Sequence, residues 1–311
     1  MSQSTNPGLP GDLLAGNPAR HRREKMVHAI FKSAAILAVL IGAAIVLSLV
    51  GRAFTFITNV ELSSLWSSGW FPRRGLYDIR TIVVGTLLIA GIGMVVATPL
   101  GLGAAIYLSE YARPPVRRAI KPILEILAGV PSVVIGFFAL TFISPEIVQR
   151  LFPGSSFFNM MAAGIGVGIL VTPLVASISE DAMRSVPTAL REASYGLGAR
   201  KRATTMKVIL PAAVSGIVAS LIVGVSRAIG ETMVVAIAAG ASGGSALTFD
   251  PTQPGQTMTA AMTALAIGSD QVKGAENTFE SLFFVGLLLF LLTLLLNIVS
   301  ERFVRRVRQR Y

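Results

Sequence analysis

Eighteen consecutive residues from Ser33 to Val50, SAAILAVLIGAAIVLSLV, carry no charge. About 20 apolar residues in a helix cross the hydrocarbon core of a bilayer, so a run of this length is at home in lipid. Five more apolar stretches follow. The chain is read as six transmembrane helices over 26–51, 80–108, 120–143, 157–180, 211–240 and 279–304. Composition agrees, with 53% of residues hydrophobic and 14% charged, against roughly a quarter charged in soluble domains. Several runs contain Gly, Ala and Pro, which helices tolerate in lipid because neighbouring helices pack against them. Short alternating strands are not evident, which argues against a barrel. The fold class expected is an all-α polytopic membrane protein. The first run exceeds a signal-peptide core in length and no small-residue cleavage site follows, so it is read as a retained helix. Zero cysteines exclude a disulfide scaffold and a thiolate metal site.

Lys and Arg are retained on the cytoplasmic side of bacterial-type membranes. Nineteen of the 27 basic residues fall in four segments, 20–25, 113–121, 184–207 and 302–310, which alternate spans would bring to one side. Both termini are therefore expected in the cytoplasm, with the chain in the bacterial cytoplasmic (inner) membrane. The net charge of +11 expresses this sidedness and an attraction to anionic membrane lipid, and gives nucleic-acid binding little support. The expected organisation is a mobile basic cytoplasmic tail over 1–25, a first span over 26–51, an extracytoplasmic segment over 52–79, a core over 80–304 with a cytoplasmic loop at 181–210, and a basic cytoplasmic tail over 305–311. Trp66, Trp70, Phe71 and Tyr77 in the extracytoplasmic segment read as an interfacial anchor or a docking surface. Residues 257–267 read as a short helix at the outer membrane surface or dipping into it.

The loop between the fourth and fifth spans is the most informative segment, SEDAMRSVPTALREASYGLGARKRATTMKVILP. Pro187 can open a short helix whose Ala189, Leu190, Ala193 and Leu197 form a small apolar ridge, with Glu192 near its start and Gly196 and Gly198 at its end. So small a helix cannot bury its own ridge. Either a partner with a cytoplasmic groove receives it, or it rests on lipid.

Here the pattern resembles a known family. Glu192, Ala193, Ser194, three residues, Gly198, nine residues and VILP ending at Leu210 and Pro211 are similar to the coupling loop of bacterial ABC importer permeases, with Ser194 and Val208 in place of the usual alanine and isoleucine. The stretches EILAGVPSVVIGFFAL, TPLVASISEDAMRSVP, VGVSRAIGETMVV and GQTMTA resemble the PstC-type permease of the phosphate-specific importer, apart from Gln256 where many members have glutamate. The resemblance implies a MetI-like permease core. It also implies an assembly with a second permease (PstA-like), two ATPase subunits (PstB-like) and an extracytoplasmic phosphate-binding protein (PstS-like). Glu192, Ala193 and Gly198 would sit against the ATPase, which would hold the ATP and magnesium. No cofactor is expected in this chain, and no GxxxxGK[ST] stretch occurs in it.

Arg227 and Glu231 stand four apart in the fifth apolar run, SRAIGET, spaced to pair on a helix face about 6 Å apart at their Cβ atoms. Charges at membrane depth cost roughly 2.5 kcal/mol or more each and usually face a bundle interior or a polar path. A guanidinium fork suits an oxyanion, and Ser226 and Thr232 add hydroxyls. Two readings stand: Arg227 helps an anion pass while Glu231 holds the arginine, or the two form an ion pair that only fixes packing. Pro99, Pro131 and Pro173 are expected to bend the second, third and fourth spans. The rivals in function are a PstA-type sister permease, a permease for another oxyanion such as molybdate or sulfate, and an ion-gradient-driven secondary transporter, for which repeated broken helices with mid-membrane acids would be expected.

Overall fold

The computed structural model describes residues 18–240, 243–268 and 276–307. Of the two expected tails, residues 1–17 and 308–311 lie outside the described residues. The chain divides into two units, Met1–Gly51 and Arg52–Tyr311. Helix α1 (Pro18–Asn59) begins inside the stretch expected to be a tail. In the first unit it exposes Ile36, Leu37, Leu40, Ile45 and Leu47 around its circumference, and a helix apolar all round belongs in lipid or a core.

The second unit takes up the end of α1 and continues through strands β1 (Gly69–Phe71) and β2 (Leu76–Tyr77) to α2 (Ile79–Ile106), which runs on in a wider π-type turn to Tyr111. Then come α3 (Pro114–Ala128), α4 (Ser132–Phe138), which wider turns lengthen to Val148, and α5 (Gln149–Leu151). After α6 (Met160–Arg184) and the short α7 (Thr188–Gly196), α8 (Lys201–Thr204) passes through another wide turn into α9 (Leu210–Ile229). The chain closes with α10 (Met233–Val235), extended to Gly240, β3 (Ser245–Ala246), α11 (Met258–Ala266) and α12 (Glu276–Val307). Among the described residues, six helical stretches are long and apolar enough to cross a membrane: Arg23–Asn59, Ile79–Tyr111, Ser132–Leu151, Met160–Arg184, Lys201–Ile229 and Asn277–Arg302.

The core is built on α2 against α6. Gly93, Ala97 and Gly101 recur every fourth residue on α2, and Gly164 and Gly168 do so on α6, the small-xxx-small pattern that lets two backbones meet closely. A Cβ placed on Gly168 would lie 2.7 Å from Val96 Cβ and 2.8 Å from the Gly93 carbonyl oxygen. Around the seam, Ile89, Val167, Val171, Val175, Val234 and Val235 are buried.

Four expectations need correction. The third span is Ser132–Leu151, and residues 114–128 are a separate helix with no buried residue. Pro131 stands at the N-cap of α4, so it starts a helix and bends none. Pro99 and Pro173 lie inside α2 and α6 as expected. The fifth span runs from Lys201 to Ile229, because Gly230 terminates it and 233–240 form a separate piece. Trp70 and Tyr77 are core residues, packed edge-on 5.8 Å apart with Phe56 beside Tyr77, and Trp66 alone of these rings is largely exposed. The short helix expected over 257–267 forms as α11, with Met258, Ala261 and Leu265 fully buried. A small antiparallel sheet, ordered β2-β1-β3, joins the segment after α1 to the segment after Gly240.

The seam predicts a contrast between two glycines of similar chemistry. Gly168→Ala forces backbone and Val96 apart and should cost about 1–3 kcal/mol, whereas Gly91→Ala meets nothing within 4 Å. Thermal unfolding in detergent should show a lower Tm for the first variant and none of that loss for the second.

Candidate functional site

Helix α7 forms where proline sets its start and glycine its stop. Pro187 precedes it as N-cap, and Gly198 has φ +79°, the left-handed conformation that a side chain resists. The Gly198 amide donates to Tyr195 O at 2.9 Å and the Ala199 amide to Ser194 O at 3.1 Å, which satisfies carbonyls the helix end would leave open. The sequence located this helix to within a residue. Its inner side is held by Leu190, packed on the cluster of Met183, Val186 and Ile209, and by a hydrogen bond that the Ser194 and Thr204 hydroxyls share at 2.9 Å. Its outer side presents Glu192, Ala193, Tyr195 and Leu197 to the surroundings, Leu197 at 90% exposure. The ridge read from the sequence is thus split: Leu190 is turned inward, while Ala189, Ala193 and Leu197 face out. Leu210 and Pro211 open α9, away from that outer surface.

Two charged ties that the sequence reading missed fix this end of the bundle. Arg191 Nη1 donates to both oxygens of Glu110 at 2.7 Å, and its Nη2 donates to Met183 O at 2.8 Å. Glu180, 1% exposed at its side chain, accepts from Arg117 Nε at 2.7 Å and lies 3.2 Å from Lys121 Nζ, which also donates to Asp181 at 2.8 Å. The second tie joins α3, which has no fully buried residue, to α6. The hydrogen bond to Asp181, reinforced by Glu180, raises the Lys121 ammonium above its usual 10.5. A pKa raised on folding makes the tie fully stabilising below 10.5 and lost only as pH rises through the higher value, so it is complete at neutral pH. The available signal was Glu110 and Glu180, acids ending long apolar runs beside basic loops.

The second constellation differs from its sequence reading. Arg227 lies in the last turn of α9, where the helix dipole favours a cation, and its side chain is exposed. Glu231 is 7% exposed and lies beyond the helix end. No ion pair joins them among the described residues, because the i,i+4 geometry needs a helix that continues past Gly230. Instead Glu231 Oε1 accepts a long 3.5 Å bond from the Val234 amide at the start of α10, and the Glu231 carbonyl accepts from Thr259 Oγ1 of α11 at 2.9 Å. Ser226 Oγ donates to Asn297 Oδ1 on α12 at 3.2 Å, and the Thr232 hydroxyl points at Gly230 O at 3.4 Å. Arg227 is the one of these four side chains left without a polar partner among the described residues. The carboxylate and the guanidinium therefore divide into a buried cap and an exposed cation.

Residues 97–309 match the model of the "binding-protein-dependent transport system inner membrane component". The chain belongs to that family. The matched stretch of this permease family holds α7, both charged ties and the break at Gly230. Among individual relatives, the chain is similar to the phosphate transport system permease protein PstC of Pasteurella multocida, with 29% identity covering 89% of this chain and 90% of that one. Likeness to PstC 1 of Mycobacterium tuberculosis is 33% identity over 76% and 75% of the two chains. For the probable ABC transporter permease protein YqgH of Bacillus subtilis it is 32% over 80% and 81%. A solved bacterial ABC transporter involved in import of the acidic polysaccharide alginate shares the fold at TM-score 0.65 and 15% identity, covering 93% of this chain and 98% of that one. The inward-facing MetNI methionine ABC transporter shares it at TM-score 0.53, 20% identity and coverage of 74% and 94%, which places the chain in the MetI-like permease fold.

For this permease, Gly198→Ala should destabilise the left-handed stop of α7 by about 1–2 kcal/mol. Hydrogen exchange should then accelerate at the Gly198 and Ala199 amides and leave α6 unchanged.

Proposed function

We propose that the chain is the membrane-spanning permease subunit of an ATP-driven importer that passes inorganic phosphate from an extracytoplasmic binding protein into the cytoplasm. The observation that carries this reading is likeness to phosphate permeases along nearly the whole chain, which extends beyond the coupling-loop motif shared by importers of many substrates. In this reading the chain is a multi-pass protein of the bacterial inner membrane with both termini and α7 in the cytoplasm. The outward side of α7, with Glu192, Ala193 and Leu197, is the contact for a separate ATPase subunit, which holds ATP and magnesium. A second, PstA-like permease completes the membrane part, two PstB-like ATPases drive it, and a PstS-like protein delivers the anion.

Arg227 is the residue proposed to meet phosphate. Its exposed guanidinium can donate two parallel hydrogen bonds to an oxyanion, and an uncompensated cation on a spanning helix has to face a polar path or a partner subunit. Glu231 contributes by shaping the break at Gly230, which keeps the end of α9 and the start of α10 apart. Passage also requires that the anion leave, so a single cation suits the task better than a closed cage. Molybdate or sulfate would meet the same arginine, and choice among these anions falls largely to the binding protein.

The test is the complex purified with the subunits encoded beside it and reconstituted in vesicles. Phosphate with its binding protein should stimulate ATP hydrolysis and uptake, and sulfate and molybdate should not. Arg227→Gln should reduce phosphate uptake at least about tenfold, equivalent to about 1.4 kcal/mol on the transport barrier, while the ATPase still co-purifies. Unchanged uptake in that variant would remove Arg227 from the pathway, and uptake without the ATPase would favour a gradient-driven carrier.

A further inference from the structure

We infer that Arg191 and Glu110 are the positioning pair that makes α7 move as one body with α2 and α6, so that force applied to α7 reorients the spans instead of being absorbed in the loop. The inference rests on α7 being the contact for an ATPase, as proposed above. Its own ground is the geometry at the inner side of that helix. The helical ladder of α7 stops at both ends, at Pro187, which has extended backbone, and at Gly198 with φ +79°. A helix between two such joints would tilt under load unless something fixes its middle. Arg191 does so from the third turn-forming position after Thr188, by bonding to two different spans at once: Glu110 at the end of α2 and the Met183 carbonyl near the end of α6.

The other links are weaker in kind. Leu190 makes apolar contact, which is non-directional and allows sliding, and the Ser194–Thr204 bond joins neutral hydroxyls and leads to α8. The guanidinium link is directional, charge-assisted and largely shielded, with side-chain exposures of 20% for Arg191 and 3% for Glu110. Shielding matters because an exposed pair would contribute little. Glu110 also accepts from the Ser109 hydroxyl at 2.7 Å, a second bond on the same carboxylate. Because α2 and α6 meet backbone to backbone at Gly93 and Gly168, grasping the ends of both moves the pair together.

The experiment compares wild type with Glu110→Gln, Arg191→Lys and the swap Glu110→Arg with Arg191→Glu. Each is assembled with its ATPase, second permease and binding protein in vesicles, and phosphate moved per ATP hydrolysed is measured. Wild-type vesicles with no ATP-driven uptake would remove the importer reading itself. Given wild-type transport, Glu110→Gln and Arg191→Lys should co-purify with the ATPase and hydrolyse ATP at near wild-type rates, while phosphate per ATP falls about tenfold, or about 1.4 kcal/mol of lost coupling. The swap restores the link to α2 alone, because a glutamate at 191 cannot donate to the Met183 carbonyl, and should recover only part of that ratio. An unchanged ratio in both single variants would overturn the inference. So would loss of co-purification in both, since the pair would then be a folding element whose loss removes assembly before coupling.

Discussion

The close approach of α2 and α6 is the constraint on which the rest of the second unit is arranged. In lipid the tails are as apolar as the side chains, so helices gain little by hiding leucine from their surroundings, and van der Waals contact between well-fitted surfaces has to hold them. Gly93 facing Gly164 and Gly168, and Gly101 facing Thr172 and Val175, give that fit by leaving out side chains. The pair then serves as a rigid post. Helix α9 packs on α6, with Gly224 close to Val171 and Val175, and α4 packs on the 233–240 piece through Gly136 and Ile237. A post of this stiffness also explains why Pro99 and Pro173 are tolerated inside its two members: neighbouring backbone and the Thr172 hydroxyl, which donates to Gly168 O at 2.7 Å, surround the interruptions.

Breaks in spanning helices raise a second demand, since every backbone polar group away from water needs a partner. The break after Ile229 meets it locally. The Gly230 amide returns to Ser226 O at 3.1 Å and the Glu231 amide to Ala228 O at 3.3 Å, while the Ala236 amide starts a new ladder on Thr232 O at 2.9 Å. The side of the bundle near β3 uses longer-range partners. Asn159 caps α6 through Ala162 N at 2.7 Å and bridges to the Ser144 hydroxyl at 2.8 Å. The Ser156, Met160 and Met161 amides take carbonyls from Thr252, Gln253 and Pro251, so the 250–256 stretch acts as a strap across the start of α6.

What could be read from the sequence followed from signals that are local. Apolar length located six spans, and Pro187 with Gly198 located α7, because a proline start and a left-handed glycine stop act within a few residues. The reading of 211–240 as one helix failed for a physical reason: MVVAIAAG is as apolar as the helix before it, and hydropathy does not register that Gly230 ends one ladder and Thr232 begins another. The third span was misplaced similarly, since the alternation of Arg117, Arg118 and Lys121 with Ile120, Ile123 and Leu124 describes a helix lying at an edge, not one crossing. Pairing Arg191 with Glu110, 81 residues away, has no local signature. Trp70 and Tyr77 were misjudged because aromatic rings beside a span serve equally as anchors or as core, and the burial that separates those uses comes with Met258, Leu265 and Val285 of α11 and α12, distant in the chain.

The separation of Arg227 from Glu231 bears on the proposed role of that arginine. An arginine neutralised by its own glutamate would offer an incoming anion only the difference between two similar interactions, and the anion would have to displace a carboxylate already in place. With the carboxylate committed to the start of α10, the guanidinium keeps its full donor set, and it stands where the helix end adds a negative dipole that holds the charge. That dipole moderates the cation without blocking its fork, in keeping with the role proposed for Arg227. An exposed guanidinium on a spanning helix is costly in lipid, which supports the second membrane subunit proposed above.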